Sequence, residues 1–277
     1  MTPFLPSHEV VEPPAGPARR TAFLLHGIFG AGRNWRSFAR AAVLRRPDTR
    51  IVLVDLRHHG DSLGAPPPNT LLACAKDLEQ VAGAVGQPPE IVYGHSFGGK
   101  VALVYARHAG PKLRQLWLLD SPPGLPNPHS KAAESEAGRV LSIMRGAKLP
   151  IAHRSDLVRQ FAAHGLSRRV STWLATNLKL GEHGGYVWRF DLDRLEELLL
   201  DYWKTDGFPL LEDPPEGLGV HVVQAERSDR WSSRELQRIR ALERAGKLQH
   251  HLLAGAGHWL HVDNPKLLLP LFTAVRD

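Results

Sequence analysis

Six short apolar runs alternate with helix-period segments along the chain, and this alternation constrains the fold more than any other feature. Each run has the length of one buried strand. Strands that alternate with helices predict an α/β fold, with a mostly parallel, doubly wound sheet covered on both faces. The predicted strands are 21–25, 51–55, 90–94, 116–120, 220–225 and 250–254. The predicted helices are 35–44, 71–85, 98–109, 234–245 and 265–275.

The alternation stops between residues 121 and 215, where the sequence offers no convincing buried strand. The clearest pattern there is "DLDRLEELLLDYW", whose leucines recur on one helical face. "EDPPEG" then breaks the chain before the strand pattern resumes. We therefore expect a core domain of residues 1–120 and 216–277, with a helical cap of residues 121–215 inserted into it. A long irregular excursion is the alternative.

Composition limits the kinds of binding partner and the cellular compartment that can be expected. The net charge is +7, but the arginines are scattered without a long basic run, so no nucleic-acid partner is expected. No stretch approaches the roughly 20 apolar residues of a membrane span, and the N-terminus lacks the pattern of a signal peptide. The single cysteine, Cys74, excludes an internal disulfide and fits a cytoplasmic setting. It lies in a helical pattern, which favours a packing role over a catalytic thiol.

Gly94-His95-Ser96-Phe97-Gly98 is a G-x-S-x-G sequence between a predicted strand and a predicted helix. That context is the one in which a nucleophilic serine sits on a sharp turn, and side chains two places before or after it would clash. The turn also puts the hydroxyl at a helix N-terminus, where free N–H groups favour negative charge. The sequence therefore predicts Ser96 as a nucleophile, with a glycine-rich turn and an idle serine as the alternative.

An activated serine needs a base and donors for an oxyanion. "AGAGHWLHVDNP" places His258 in a glycine-rich loop after the last predicted strand, following Ser96 in chain order. "LLHGIFGAG" follows the first strand, and it predicts an oxyanion hole made by the backbone N–H groups of Ile28 and Phe97. Taken alone, that segment also fits an ordinary glycine turn. The competing histidines are His26, His58, His59, His95, His250, His251 and His261.

Five segments together resemble the α/β-hydrolase fold esterases, and most closely the small bacterial esterases with their plant and mitochondrial relatives. They are "HGIFGAGRNW", "VDLRHHGDS", "GHSFGGK", "LLDSPPG" and "GAGHWLHVDNP", in the right order along nearly the whole chain. The resemblance implies ester hydrolysis through an acyl-enzyme, with a helical cap that shapes the acyl pocket. It does not fix the substrate, because this fold hosts many reactions.

The acid of the triad has two candidates. Ser228 occupies the place after the penultimate strand where the acid commonly falls, and Asp229 lies one position away. In the branch that the chain resembles, the acid instead ends the strand after the nucleophile helix, and a serine takes the usual place. Asp120 and Ser228 match that pattern, so we predict Asp120 as the acid, Ser228 as its support and Asp229 as the alternative. A turn-capping role for Asp120 stays open.

The segment "VDLRHHGDS" is interpreted as a structural turn near the pocket, with Arg57 tied to Asp61 or to nearby backbone. Four further residues are expected to line the substrate pocket: Phe29, His95, Trp188 and Trp259.

The predicted function is a carboxylesterase or thioesterase for small to medium acyl esters, working without a metal or an organic cofactor. Its partner would be a small-molecule ester or thioester, and a monomer and a homodimer are both open. A C–C bond hydrolase, a lactonase and a perhydrolase would use the same triad. Dehalogenases and epoxide hydrolases fit less well, because they carry an aspartate where this chain has Ser96. A non-catalytic ligand-binding receptor is the alternative from a different class.

Overall fold

A mixed β-sheet lies at the centre of the computed structural model, which describes residues 3–14, 16–126 and 135–273. The strands are β1 (His8–Val11), β2 (Arg20–Leu25), β3 (Thr49–Val54), β4 (Ile91–His95), β5 (Gln115–Leu119), β6 (Leu178–Leu180), β7 (Tyr186–Trp188), β8 (Gly219–Ala225) and β9 (Gln249–Leu253). In the described residues, the main sheet has the order β1-β3-β2-β4-β5-β8-β9, and β6 pairs with β7 in a separate hairpin. β1 runs antiparallel to β3, and the other neighbours in the main sheet are parallel.

Helices cover both faces of this sheet. They are α1 (Arg36–Arg45), α2 (Leu71–Val85), α3 (Phe97–Ala106), α4 (Glu136–Arg145), α5 (Arg154–Ala163), α6 (Arg168–Ala175), α7 (Leu192–Lys204), α8 (Phe208–Glu212), α9 (Ser233–Arg244), α10 (Leu260–Asp263) and α11 (Pro265–Thr273). Short 3₁₀ helices occupy Gly32–Trp35 and Gly110–Lys112. The α/β fold expected from the sequence, with a mostly parallel sheet covered on both faces, is confirmed.

The side chains of the central strands divide between two apolar clusters because successive residues of a strand face opposite sides. Along β2, Phe23 and Leu25 join the cluster on one face, and Ala22 and Leu24 join the other. All four are fully buried. Burial on both faces explains why each strand reads as a continuous apolar run.

Each predicted strand lies within two residues of its predicted ends, and the helix predicted at 71–85 has those bounds. Thr70 begins it by accepting a hydrogen bond from the Ala73 N–H, and Gly86 ends it at φ 76°. The helix predicted to reach residue 109 stops at Ala106. The last two residues of the helix predicted at 265–275 lie outside the described residues.

The segment between β5 and β8 is largely helical, and we call its described residues, 121–126 and 135–215, the cap. Residues 127–134 of the predicted insertion lie outside the described part of the chain. The cap contains the hairpin of β6 and β7, which the sequence did not indicate because each strand has three residues and most are partly exposed. The leucine face of α7 packs into the same apolar cluster as α2 and α3. The division into a core domain and a cap domain stays a prediction.

No helix in the described ranges has both the length and the apolar character that crossing a membrane requires.

Candidate active site

The turn between β4 and α3 holds Ser96 in a strained backbone conformation. Its φ is 52° and its ψ is −116°, a region that side-chain-bearing residues rarely occupy. A Cβ on Gly94 would collide with the backbone of Gly98, and one on Gly98 would come within 2.6 Å of the His26 carbonyl oxygen. Both glycines are therefore needed for the turn to close, and the turn puts the Ser96 hydroxyl at the N-terminus of α3.

Three side chains from distant parts of the sequence meet above the sheet. The Ser96 Oγ lies 3.1 Å from the His258 Nε2, and the His258 Nδ1 lies 2.7 Å from the Asp120 Oδ2. Because a carboxylate only accepts hydrogen bonds, Nδ1 carries the proton and Nε2 is left as the acceptor for the serine hydroxyl. Asp120 is fully buried, whereas the His258 side chain is 21% exposed at the cavity.

Asp120 follows β5 directly, and its carboxylate is fully hydrogen-bonded. Oδ1 accepts from the Ala225 N–H at 3.1 Å and from the Trp231 indole at 2.8 Å. Oδ2 accepts from the Ser228 hydroxyl at 2.6 Å and from His258. Burial alone would raise the pKa of Asp120, but these hydrogen bonds outweigh it and hold the pKa below its usual value. The carboxylate is thus kept charged beside the imidazole.

Asp229, the alternative acid, points away from this cluster. Its side chain is 88% exposed and lies 3.5 Å from the Arg230 Nε. A carboxylate so placed is solvated, and among the described contacts it makes none with His258. Although Ser228 and Asp229 are adjacent, the Ser228 hydroxyl points to Asp120 and the Asp229 carboxylate points to solvent.

Ile28 and Phe97, whose amides are expected to form an oxyanion hole, both line the cavity beside Ser96. Neither the Ile28 nor the Phe97 N–H donates a hydrogen bond to any residue in the described ranges. His26 fixes the preceding turn: its Nδ1–H donates to the Gly27 carbonyl at 2.8 Å, and its Nε2 accepts from the Leu56 N–H at 3.0 Å. Burial lowers the pKa of His26 to about 4, so this ring is neutral.

A cavity of about 1140 Å³ opens beside the Ser96 hydroxyl. Three of the four predicted pocket residues line it: Phe29, His95 and Trp259. Its apolar lining from the cap includes Leu125, Pro126, Val140, Val170, Trp173, Leu199, Trp203 and Phe208. A cavity of this size with an apolar cap side suits a ligand with a hydrocarbon portion.

Trp188 is the exception, and its placement in the pocket is corrected. It is absent from the described cavity lining. Its ring lies about 6.0 Å from those of Phe161 and Phe190, within the packing of the cap. The hairpin strand that carries Trp188 turns the indole towards other cap side chains, and an isolated three-residue strand gives no sequence pattern that reveals this direction.

The sequence predicts Arg57 tied to Asp61 or to nearby backbone, and the second of these alternatives is the one found. Arg57 pairs with Asp77 at 2.7 Å and donates to the carbonyls of Pro66 and Pro68. Asp61 instead pairs with Arg189 of the cap. Only the expected tie of Arg57 to nearby backbone is present.

Two residues near the site were not singled out from the sequence. Trp231 supports Asp120, and its only signal was its place shortly after Ser228. Lys100 lies one helical turn after Ser96, buried, and its Nζ donates to the carbonyls of Gly124, Tyr202 and Thr205. Burial lowers the pKa of Lys100 to about 8. Since two of its acceptors lie at the end of α7, Lys100 joins the nucleophile helix to the cap.

Cys74 and three of the competing histidines are explained by their places in the fold. Cys74 is buried in α2, and burial raises the pKa of its thiol. His59 is buried against His26, and burial lowers its pKa well below the usual value. His250 and His251 lie within β9, on the edge of the sheet.

A model of the alpha/beta hydrolase family matches residues 22–271. The chain therefore belongs to this family, and it is an ester-hydrolysing enzyme of the esterase and lipase type.

Particular relatives narrow this class. The chain is 30% identical over 256 residues to the sn-1-specific diacylglycerol lipase ABHD11 of Mus musculus. This alignment covers 90% of this chain and 78% of the mouse protein. It is 26% identical over 250 residues to Esterase YbfF of Escherichia coli (strain K12), covering 89% of each. A solved marine microorganism esterase aligns with a TM-score of 0.80 at 21% identity, over 97% of this chain and 98% of that one. The last likeness concerns the fold alone. The esterase resemblance drawn from the five segments is confirmed.

Proposed function

We propose that the protein is a carboxylesterase or thioesterase in which Ser96 is the nucleophile, His258 the general base and Asp120 the acid. The observation that carries the proposal is the unbroken chain from the Ser96 Oγ to the His258 Nε2 at 3.1 Å and from Nδ1 to Asp120 at 2.7 Å. A serine, an imidazole in the correct tautomer and a buried carboxylate are what acyl transfer through a covalent intermediate requires.

In the acylation half, the Ser96 hydroxyl transfers its proton to the His258 Nε2 while its oxygen attacks the acyl carbon. The carbonyl electron pair moves to the oxygen, which accepts hydrogen bonds from the Ile28 and Phe97 amides. The partial positive charge at the N-terminus of α3 favours the same oxyanion. As the tetrahedral intermediate collapses, the bond to the leaving group breaks, and His258 gives its proton to the departing alcohol or thiol.

In the deacylation half, water takes the place of the leaving group. The oxygen of the water attacks the acyl carbon while His258 accepts a proton from the same water. The Ile28 and Phe97 amides then donate to the second oxyanion. Collapse breaks the bond to the Ser96 oxygen, which recovers its proton from His258, and a carboxylic acid is released. Asp120 stays ionised throughout and stabilises the imidazolium in both halves.

The cap is proposed to act as a lid whose apolar side chains accept the acyl chain. The lining by Val140, Leu199, Trp203 and Phe208 supports an acyl group of small to medium length. The mouse relative is named a diacylglycerol lipase, so a diacylglycerol belongs in the substrate panel beside p-nitrophenyl esters and acyl-CoA thioesters of graded length.

The serine mechanism is tested with a fluorophosphonate probe and the Ser96→Ala variant. We expect one label per wild-type chain, none on the variant, and a fall in kcat on p-nitrophenyl acetate of at least ~10³-fold. Unchanged circular dichroism and melting temperature would show that the variant folds. Turnover near the wild-type rate in a pure, folded Ser96→Ala sample contradicts the mechanism.

A further inference from the structure

His95 lies between the proposed nucleophile and the proposed base. It is the last residue of β4, so it is covalently joined to Ser96, and its side chain is buried. Its Nε2 lies 2.8 Å from the main-chain carbonyl oxygen of His258. One side chain thus joins the strand that carries the serine to the loop that carries the histidine.

The direction of this hydrogen bond fixes the chemical state of His95. A carbonyl oxygen only accepts, so the proton must be on Nε2, and the ring is a donor. Burial, with the nearby His258 and His261 as smaller causes, lowers the pKa of His95 well below its usual value. The ring is therefore neutral at pH 7, with its Nε2–H as the donor.

The His95 ring is also confined on its other sides. A Cβ built on Gly27, in the proposed oxyanion loop, would lie 3.0 Å from the His95 Nδ1. The Trp35 ring lies 5.6 Å away at an angle of 61°, and the His261 ring lies 6.0 Å away. His95 therefore borders the oxyanion loop and the histidine loop at the same time, and it has little room to change rotamer.

We propose that His95 is a positioning residue, which sets the distance between the Ser96 hydroxyl and the His258 imidazole by holding the main chain of His258. This inference rests on the proposed triad. Asp120 holds the imidazole at Nδ1, and the neighbouring loop residues are held by the Gly257 N–H bond to Asp263 and the Arg227 N–H bond to the Ala256 carbonyl. The bond from His95 is the one that reaches the peptide group of His258 itself. Misplacement of a catalytic group by about 1 Å costs on the order of 10²-fold in rate, so such a bond is large enough to matter.

Three variants separate the donor from the shape of the ring. His95→Gln keeps an N–H donor at the same number of bonds from the main chain. His95→Phe keeps a ring but has no donor, and His95→Asn has a donor too short to reach the His258 carbonyl. We expect His95→Phe and His95→Asn to lower kcat on p-nitrophenyl acetate by about 10–100-fold, with KM within about twofold, because alignment is lost and binding is kept. His95→Gln should stay within about threefold of wild type.

His221→Phe is the matched control. His221 is a buried histidine in β8 of the same sheet, stacked on Trp117 and hydrogen-bonded to His251, and it is absent from the residues that line the cavity. Its replacement also removes a buried imidazole and its hydrogen bond but leaves the His258 carbonyl untouched, so we expect little change in kcat. Melting temperatures of all variants are measured alongside, and if His95→Phe does not fold, the comparison of His95→Asn with His95→Gln decides the question.

Two outcomes overturn the proposal. If His95→Phe, His95→Asn and His95→Gln all remain within about threefold of wild type, the bond has no effect on alignment. If His95→Gln is as impaired as the other two, the ring shape and not the donor is what the site needs. Failure of the proposed function is distinguishable, since wild-type protein would then resist the fluorophosphonate probe. That result removes the basis of both proposals.

Discussion

The two walls of the cavity are held in place in different ways. On the core side, two residues of the proposed triad are fixed by main-chain hydrogen bonds. The Ser96 N–H donates to the Leu119 carbonyl at 3.1 Å, and the Asp120 N–H donates to the Val223 carbonyl at 2.7 Å. These bonds extend the pairing of β4, β5 and β8 beyond the strand ends. The proposed chemistry therefore lies on a wall with little freedom.

On the cap side, the attachments to the core run mostly through side chains. The Asn69 amide donates to Glu197 at 2.7 Å, and the Asp201 carboxylate accepts from the Leu71 N–H at 2.7 Å. Arg33 reaches the Asn177 side chain at 2.8 Å. Beneath these contacts lies the apolar face of α7. Side chains can be exchanged without altering the path of the main chain, so we expect changes of substrate preference to arise on this wall.

The largest effect on kcat is expected from a change in the core wall, Asp120→Asn. The substitution removes the charge that orients and stabilises the imidazole, so kcat should fall on the order of 10²–10⁴-fold. Asp229→Asn is the control, with a loss below about tenfold expected, because that carboxylate is solvated. Steady-state kinetics on one activated ester measures both. A larger loss in Asp229→Asn than in Asp120→Asn would move the acid to the later loop.

A second test concerns the stability of the core wall at low pH. The folded-state pKa of His26, about 4, lies below the unfolded value of 6.5, so the unfolded chain binds more protons between these values. The contribution of His26 to the free energy of unfolding is therefore present above pH 6.5 and is lost as the pH falls towards 4. His26 alone should lower the free energy of unfolding by about 2 kcal/mol between pH 7 and pH 5.

Urea titrations of wild type and His26→Gln at both pH values measure this contribution. The variant should show a smaller loss of stability on acidification than wild type. Equal losses in the two proteins would mean that the His26 ring takes up its proton in the folded state as readily as in the unfolded chain.

The smallest expected effect belongs to the cap wall. Trp203→Ala removes an indole from the cavity lining, and the ratio of kcat/KM between long and short acyl esters should change by about 5–10-fold. Turnover of the acetate ester should hardly change, because the core wall is untouched. Trp188→Ala is the matched control, since that indole packs inside the cap. Identical chain-length profiles for the two variants would mean that the cap does not select the acyl group.

The degree of burial explains which strands could be predicted from the sequence. The central strands were predictable because both faces are buried, which leaves a continuous apolar run. β1 was missed because an edge strand of four residues, mostly partly exposed, leaves no such run. The hairpin of β6 and β7 was missed for the same reason.

Within the site, local pattern located Ser96 and His258, which the fold brings within hydrogen-bond distance, although their catalytic roles stay predictions. Asp120 needed the family pattern to choose it over Asp229. The Trp231 indole reaches Asp120 across 111 positions of sequence, and the His95 ring reaches the His258 carbonyl across 163. Contacts of that range depend on how loops meet above the sheet, and no local periodicity encodes them.

The insertion point of the cap has a consequence for the way such a protein diversifies. The chain leaves the sheet after β5 and returns at β8, and these strands are direct neighbours, with Gln115 opposite Gly219 and Leu119 opposite Val223. The segment between them therefore starts and ends at two adjacent strands. We expect that lengthening, shortening or replacing the cap would leave the strand register, and with it Asp120 and Ser228, in place. On the proposed function, a change of substrate specificity would then need only a change in the cap.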